Sequence, residues 1–427
     1  MKNQVVDGAI ERHCDCMFPV NTYAWDFPIL AALAAPRPLL LANSDKDRIF
    51  PLDGVMRIHA HLQRIYKLYG ASDRLGLFIS EGPHSDTQEL QVAASRWLNR
   101  WLKKDSNPIA LLRSEHIAPA DLKVFQTLPA DQINTRIHET FVPPAGPFPI
   151  PASVEQWKAD SARMILSLQE KVFNNLPSIP TDPRISANTI TPTGPDQDIR
   201  IRLVNFDAAG GYRLQTILLE PDEGRPSRLS LRVMDQAELT KRIKSEPSLR
   251  ARPAMPTAEA VRFLFAREVR AGGAVSIFFP RGAGATASTT ESEVHMRRRF
   301  LLLGQSLEAI RVWDARAALN ALRTLPELQR VPISLLGSGE NSVTALLAAI
   351  FENSVTHIEL DLPPATLPSG LSFPSMLRLM DMPQILALTL PRTVVMRNST
   401  PSDWEWAIKA VRFAGGSVSF LSSASKD

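Results

Sequence analysis

Pro36-Arg37-Pro38-Leu39-Leu40-Leu41-Ala42-Asn43-Ser44-Asp45-Lys46-Asp47-Arg48-Ile49-Phe50-Pro51 is the stretch on which the fold turns. Its apolar run has strand length and ends in a polar loop, so it reads as a buried strand with the carboxylate of Asp47 just past its end. Leu52 to Tyr69 follows, with Leu52, Val55, Met56, Ile58, Leu62, Ile65 and Leu68 close to helical period. A second apolar strand, Leu75 to Ser80, runs straight into Glu81-Gly82-Pro83-His84. Reactive groups in open α/β sheets gather beyond the carboxyl ends of the strands, so two neighbouring strands are expected to hold Asp47 and His84 side by side.

The rest of the composition narrows the classes. A chain of 427 residues, 44% hydrophobic, has room for more than one core, and two or three units are expected. The net charge of +4 shows no block of like charge beyond Arg297-Arg298-Arg299, which gives no footprint for nucleic acid. That run could cradle a phosphate, but it reads better as the solvated face or edge of a helix. Cys14 and Cys16 are too close together for a disulfide, and His13-Cys14-Asp15-Cys16 is too tight to wrap one tetrahedral ion. A structural loop is the reading there, and neither cysteine sits in the glycine-rich turn that a replacement nucleophile needs. His59 and His61, two apart on a helix, point to different faces and do not make a metal pair. No metal and no cofactor is expected. Met1-Lys2-Asn3-Gln4 opens no apolar signal segment, and no run of about 18 apolar residues occurs. The expectation is therefore no membrane partner, a cytoplasmic chain if Met1 is the true start, and an exported one if a longer upstream portion exists.

Three segments are expected: 1–104, carrying Asp47 and His84 and closing on a helix from Ser85 to Leu102; 105–194, a proline-rich linker; and 195–427, a second sheet domain. The linker holds one amphipathic helix, Val154 to Phe173, expected to dock one domain on the other. The second domain opens with strands at Ile199 to Val204, Arg213 to Leu219 and Arg228 to Val233, read as a meander. Helix Thr257 to Arg270, strand Ala274 to Phe279 and helix Leu307 to Leu325 then alternate, which argues a doubly wound sheet. Gly282 and Gly284 lack the Lys-Ser or Lys-Thr of a phosphate loop and read as a strand-end loop.

Val331 to Leu336 leads into Gly337-Ser338-Gly339-Glu340-Asn341 and then a helix of small residues, Ser342 to Phe351. A strand, a glycine-led pentapeptide and a helix are the setting of a G-x-S-x-G nucleophile elbow, but Gly339 holds the central position and has no side chain to attack a carbonyl. Ser338 is one position off and reads as a turn residue. An internal repeat links the two domains. Asp381-Met382-Pro383, Pro391-Arg392 and Asn398-Ser399 repeat Asp26-Phe27-Pro28, Pro36-Arg37 and Asn43-Ser44 at one offset, 381 − 26 = 391 − 36 = 398 − 43 = 355. At that offset Asp47 meets Ser402, with Asp403 beside it, and the final strand, Ser417 to Leu421, leads to no histidine.

Asp47 and His84, 84 − 47 = 37 residues apart, resemble the acid and base of the α/β-hydrolases, whose triad runs nucleophile, acid, histidine along the chain. Trp25-Asp26-Phe27-Pro28 through Ala35-Pro36-Arg37-Pro38, with Asp47-Arg48-Ile49-Phe50-Pro51 and Gly82-Pro83-His84, is similar to the dienelactone hydrolase and acetyl xylan esterase group. The resemblance covers roughly the first hundred residues. It implies an α/β fold, an incomplete α/β-hydrolase unit followed by a second doubly wound hydrolase-like sheet. It also implies an acyl ester or carbohydrate ester substrate, and a loop at Pro280 to Gly284 that supplies an oxyanion-hole amide. Taken singly, Asp47 would be a helix N-cap before Pro51 and His84 a turn residue capping the helix from Ser85. Taken together they read as catalytic.

No G-x-S-x-G occurs anywhere in the chain. The reading is thus a hydrolase by ancestry, incompetent by itself. The alternatives are a non-catalytic hydrolase-fold scaffold or binding protein, possible as a homo-oligomer, or a Met1 internal to a longer product, since the missing strands would leave an open sheet edge.

Overall fold

A single parallel strand pair organises the first part of the chain. In this computed structural model, which describes residues 1–13, 20–112, 117–137, 140, 146, 148–190, 198–250, 257–287 and 289–422, the Asp26 side chain accepts from the Phe27 N–H and starts the short helix α1 (Phe27–Ala32) with a proline in its first turn. Strand β1 (Leu39–Ser44) follows, then helix α2 (Leu52–Leu68), then strand β2 (Leu75–Ser80). The strands run parallel, Leu39 opposite Leu75 through Ser44 opposite Ser80. Among the described residues β2 is the only strand paired with β1. Leu62, Tyr66 and Ala71 form the buried centre beneath Leu39, Leu41 and Leu75, and the Tyr66 hydroxyl donates to the Arg37 carbonyl at 2.7 Å. Helix α3 (Gln88–Leu98) closes the unit.

The compact units are 1–143 together with 294–304, and 144–293 together with 305–427. The expected linker, 105–194, is therefore shared between them at Pro144. Arg298 in the segment 294–304 donates to the His13 carbonyl at 3.2 Å, and Arg299 pairs with Glu11. These arginines tie the first unit together, where a solvated helix face was expected. Cys14 and Cys16 lie outside the described residues.

Among the described residues the second unit is built on nine strands. Helix α4 (Val154–Lys171) precedes β3 (Ser186–Ile190), β4 (Ile199–Asp207), β5 (Arg213–Pro221) and β6 (Arg228–Val233). Helices α5 (Gln236–Ser245) and α6 (Thr257–Arg270) lead to β7 (Gly273–Phe278). Helix α7 (Leu307–Thr324), β8 (Ile333–Ser338), helix α8 (Asn341–Ile350) and β9 (Val355–Asp361) come next. Helix α9 (Met382–Ala387), β10 (Thr393–Arg397), helix α10 (Glu405–Ala414) and β11 (Ser417–Leu421) complete it. The order across the sheet is β11-β10-β9-β8-β6-β7-β5-β4-β3. The six strands from β11 to β7 are parallel; β5, β4 and β3 join antiparallel. Fully apolar strands suit a sheet covered on both faces. β7 is buried at all six positions, and one cluster around Val261, Phe265 and Val269 and a larger one around α7, α8 and α9 flank it.

Three expectations change here. β6 is not the third strand of the meander: β7 lies between β5 and β6, β6 pairs in parallel with β7 and β8, and the antiparallel run is β3-β4-β5. The expected linker holds an edge strand, β3, whose Ser-Ala-Asn-Thr-Ile sequence is exposed at its first four residues and so carries no apolar alternation. The amphipathic helix α4 buries Trp157 and Leu168 in the core of the second unit itself, with the Trp157 ring 6.4 Å from that of Trp406. The α9 helix repeats the start of α1: the Asp381 side chain accepts from the Met382 N–H, and a proline sits in the first turn. The Ala35–Pro36 and Leu390–Pro391 peptide bonds are both cis. Among the described residues no helix is long and apolar enough to cross a membrane.

Candidate active site

In the first unit the loops after β1 and β2 are laced together. The Asp45 N–H donates to the Ser80 carbonyl at 2.9 Å, the Lys46 N–H to the Gly82 carbonyl at 3.0 Å, and the Gly82 N–H to the Asp45 carboxylate at 2.8 Å. Inside this frame Asp47 Oδ1 accepts from the N–H groups of Ile49 (2.8 Å) and Phe50 (2.9 Å), while Oδ2 faces His84 Nδ1 at 2.8 Å. The Asp47 side chain is 3% exposed and that of His84 56%. A carboxylate can only accept, so Nδ1 carries the proton and Nε2 is left as the basic nitrogen. Burial works against the charge on Asp47, but the Phe50 N–H, the His84 ring and the Ile49 N–H outweigh it and hold the carboxyl below its usual range.

Neither plain structural role survives as the whole account. Helix α2 is entered through Pro51 with no side-chain cap, and α3 is capped by Thr87, whose Oγ1 accepts from the Leu90 N–H at 3.3 Å. Asp47 and His84 cap neither.

Two supporting groups escaped the sequence reading. The His13 Nε2 stands 3.0 Å from the Ile49 carbonyl, and its ring meets the Phe50 ring edge-on at 4.9 Å. Burial lowers the His13 pKa, although the Ile49 carbonyl and the Asp47 charge pull the other way. The Phe50 ring in turn lies 6.0 Å from that of His84. Asn43, at the end of β1, donates to the Phe50 carbonyl at 3.0 Å and pins the loop from below. The clue for Asn43 was present, since it is one of the residues matched at the offset of 355; His13 was singled out only with Cys14 and Cys16, as part of a structural loop. His61 lines a separate cavity of about 430 Å³ with Phe27, Phe50 and Arg57, and burial lowers the His59 pKa. Among the described residues no cluster of His, Cys, Asp and Glu has the geometry to hold a metal ion.

In the second unit the segment expected as a degenerate elbow, Gly337 to Asn341, makes a tight turn between β8 and α8. A side chain on Gly337 would come within 2.5 Å of the Asn341 carbonyl oxygen, so the turn closes only over glycine. Gly339 has φ +54°, yet a Cβ built on it meets nothing within 4 Å. The position combines a left-handed backbone with open space above it. Ser338 instead turns to Asp361, its Oγ 3.4 Å from Oδ2, and Asn398 donates to Asp361 Oδ1 at 2.7 Å.

A cavity of about 690 Å³ opens over this elbow, lined by Asp235, Glu238, Glu340 and Asp361 among others. Asn341 Nδ2 donates to Asp235 at 3.2 Å, and Arg242 pairs with Glu238 at 2.9 Å. Burial raises the Glu238 pKa against the pull of Arg242. The loop beside the elbow is thus the one after β6, whose strand adjoins β8. The loop at Pro280 to Gly284 follows β7, one strand further away, and Arg281 there is drawn inward to Asp314 at 2.6 Å. That corrects the expected source of an oxyanion-hole amide. No histidine occurs after His357.

No family model matches the chain. Over 73 residues, 17% of this chain, it is 34% identical to the protein named "Putative hydrolase YtaP" of Bacillus subtilis (strain 168), and the match spans about a quarter, 24%, of that relative's length. The fold is similar to the crystal structure of a "putative acetyl xylan esterase" from Bacteroides fragilis NCTC 9343: TM-score 0.54, 14% identity, 71% of this chain and 86% of that one. A CE15 glucuronoyl esterase from Teredinibacter turnerae T7901 lies lower, at TM-score 0.44 with 16% identity over 62% of this chain and 74% of its own.

Proposed function

We propose, for a chain that has the α/β-hydrolase fold, that its first unit carries the acid and base of a carboxylic ester hydrolase and its second a hydrolase-like sheet that has lost its nucleophile. The observation that carries this is the 2.8 Å pairing of His84 Nδ1 with a buried Asp47 whose other oxygen is held by two backbone N–H groups. Asp47 fixes the tautomer and the ring; His84 Nε2 takes the proton of a serine hydroxyl as its oxygen attacks an ester carbonyl. The alcohol leaves with that proton, and water then hydrolyses the acyl-serine with His84 again as base. The substrate class is an acyl ester, a carbohydrate ester in keeping with the fold's esterase likeness. The serine is the one part this chain does not offer in a G-x-S-x-G, so the chain alone is inactive.

Two copies of one ancestral unit account for both halves. Supporting this are the equal lengths and caps of α1 and α9, 382 − 27 = 387 − 32 = 355, and the parallel strand that follows each. The second reading, a non-catalytic scaffold, is favoured for the second unit by Gly339 and by carboxylates where an oxyanion would have to be stabilised.

Hydrolysis of p-nitrophenyl acetate by the purified chain beside His84→Ala tests the proposal. Equal background rates are expected, together with a downfield His84 N–H resonance that Asp47→Ala abolishes. Multiple turnovers lost with His84 would place a nucleophile in this chain and overturn the assignment; an unchanged resonance would remove the acid and base.

A further inference from the structure

The buried carboxylate of Asp47 is held by a peptide group that is itself held from behind. The Ile49 carbonyl and the Phe50 N–H belong to one planar peptide unit, so whatever fixes the oxygen also fixes the hydrogen on its far side. That hydrogen goes to Asp47: the Phe50 N–H donates to Oδ1 at 2.9 Å. Burial opposes the Asp47 charge, and the Phe50 N–H is the largest of the contributions that offset it. On the near side the Ile49 carbonyl faces two donors, Gln4 Nε2 at 3.1 Å and His13 Nε2 at 3.0 Å. A carbonyl only accepts, so His13 carries its proton on Nε2. Hydrogen bonds in series polarise one another, and a donor on the Ile49 oxygen makes the Phe50 N–H a better donor to Asp47. His13 is 7% exposed, with its ring edge-on against Phe50. It is in turn fastened from a distant part of the chain. Arg298 donates to the His13 carbonyl at 3.2 Å, Arg299 pairs with Glu11, and the Asn21 N–H donates to the Leu301 carbonyl at 3.0 Å. Segment 294–304, which lies in sequence between β7 and α7, therefore grips residues on both sides of His13.

We propose that His13 is a positioning residue for His84, acting through the peptide between Ile49 and Phe50, and that Arg298 sets His13 in place. This rests on the acid and base roles of Asp47 and His84. The effect falls on the hydrogen bond between those two. With His13 behind the peptide, Asp47 Oδ1 is occupied on one side and Oδ2 stays aimed at His84 Nδ1, 2.8 Å away, which leaves Nε2 as the base. With Gln4 alone on the carbonyl the peptide is free to tilt, Oδ1 loses its firmest donor, and the carboxylate turns away from the ring. A merely structural His13 needs only its ring in the space beside Phe50. A positioning His13 needs its N–H, so the two roles predict opposite rescues.

The test is NMR on the full chain with isotope-labelled histidine, reading the downfield Nδ1–H of His84 and its exchange with water. His13→Phe keeps a ring against Phe50 and removes the donor; His13→Gln removes the ring and returns an amide N–H at a similar reach. In His13→Phe the His84 signal moves upfield and exchanges at least about tenfold faster, the factor for one lost hydrogen bond, while His13→Gln stays within about twofold of the unaltered chain. Arg298→Met shifts the signal in the same direction, and beside His13→Phe it adds nothing, because the two act in series. A His84 signal in His13→Phe like that of the unaltered chain, or Phe and Gln variants perturbed alike, overturns the role of His13. An effect of Arg298→Met that persists in full beside His13→Phe overturns that of Arg298. Should His13→Phe fail to fold, the unaltered chain still decides: the ring-nitrogen shifts of His13 must report a proton on Nε2, and a proton on Nδ1 alone overturns the proposal. An unaltered chain with no downfield Nδ1–H on His84 instead overturns the acid and base roles themselves, which separates that failure from failure of the relay.

Discussion

The two units differ in what stands beyond the ends of their strands. Among the described residues, the first holds Asp47 and His84 paired at 2.8 Å beyond a sheet of two strands, and the second has a sheet of nine strands with a tight turn after β8 and Gly339 at its apex. The turn from Gly337 to Asn341 closes β8 onto α8, a folding requirement that does not depend on what stands at position 339. Two laced loops are enough to hold the pair Asp47 and His84.

The comparison is sharpest at matched positions. Leu388→Ala should destabilise the second unit by about 2–5 kcal/mol, as for other buried leucines, while Leu33→Ala, at a position 61% exposed, should stay within about 0.5 kcal/mol. Denaturant unfolding of the two variants checks this, and a large loss at Leu33 would mean that its face is already covered. Adding a side chain by Gly339→Ser should cost about 1–2 kcal/mol, the penalty for a left-handed backbone, with open space absorbing the hydroxyl. It should yield no ester turnover, because no imidazole follows β11. A Gly339→Ser variant that turns over p-nitrophenyl acetate would break the contrast by revealing a base in the second unit. The smallest effect concerns pH. The folded pKa of Asp47 lies below its unfolded value of about 3.9, so its contribution to stability is fully present above that value. It is lost as pH falls through the lower folded pKa. Unfolding of the first unit should be flat near neutrality and weaken in acid below about pH 4, and Asp47→Asn should remove part of that slope.

Much of this was legible in the residues. Asp47 and His84 could be paired because an apolar run, a helical period and a second apolar run allow only a parallel crossover between them. The glycine elbow was readable because its strand and helix patterns are strong on both sides. What could not be read was neighbourhood. The sequence gives β5, β6 and β7 in order but not that β7 slips between the other two, so the loop beside the elbow was assigned one strand too far away. β3 has too little apolar alternation to signal an edge strand. His13 supports the Asp47 loop through a single contact to the Ile49 carbonyl, 36 residues on, and no local pattern records a contact of that kind.

The arginine-bearing segment 294–304 has a consequence for how the chain is made. Residues 1–143 emerge from the ribosome well before it, yet His13 and Asn21 rely on it: Arg298 donates to the His13 carbonyl and Asn21 donates to the Leu302 carbonyl. At translation speeds of about 5–20 residues per second, the first unit waits roughly 8–30 seconds for its last piece. During that interval its earliest residues are held only by each other and by whatever attends the nascent chain.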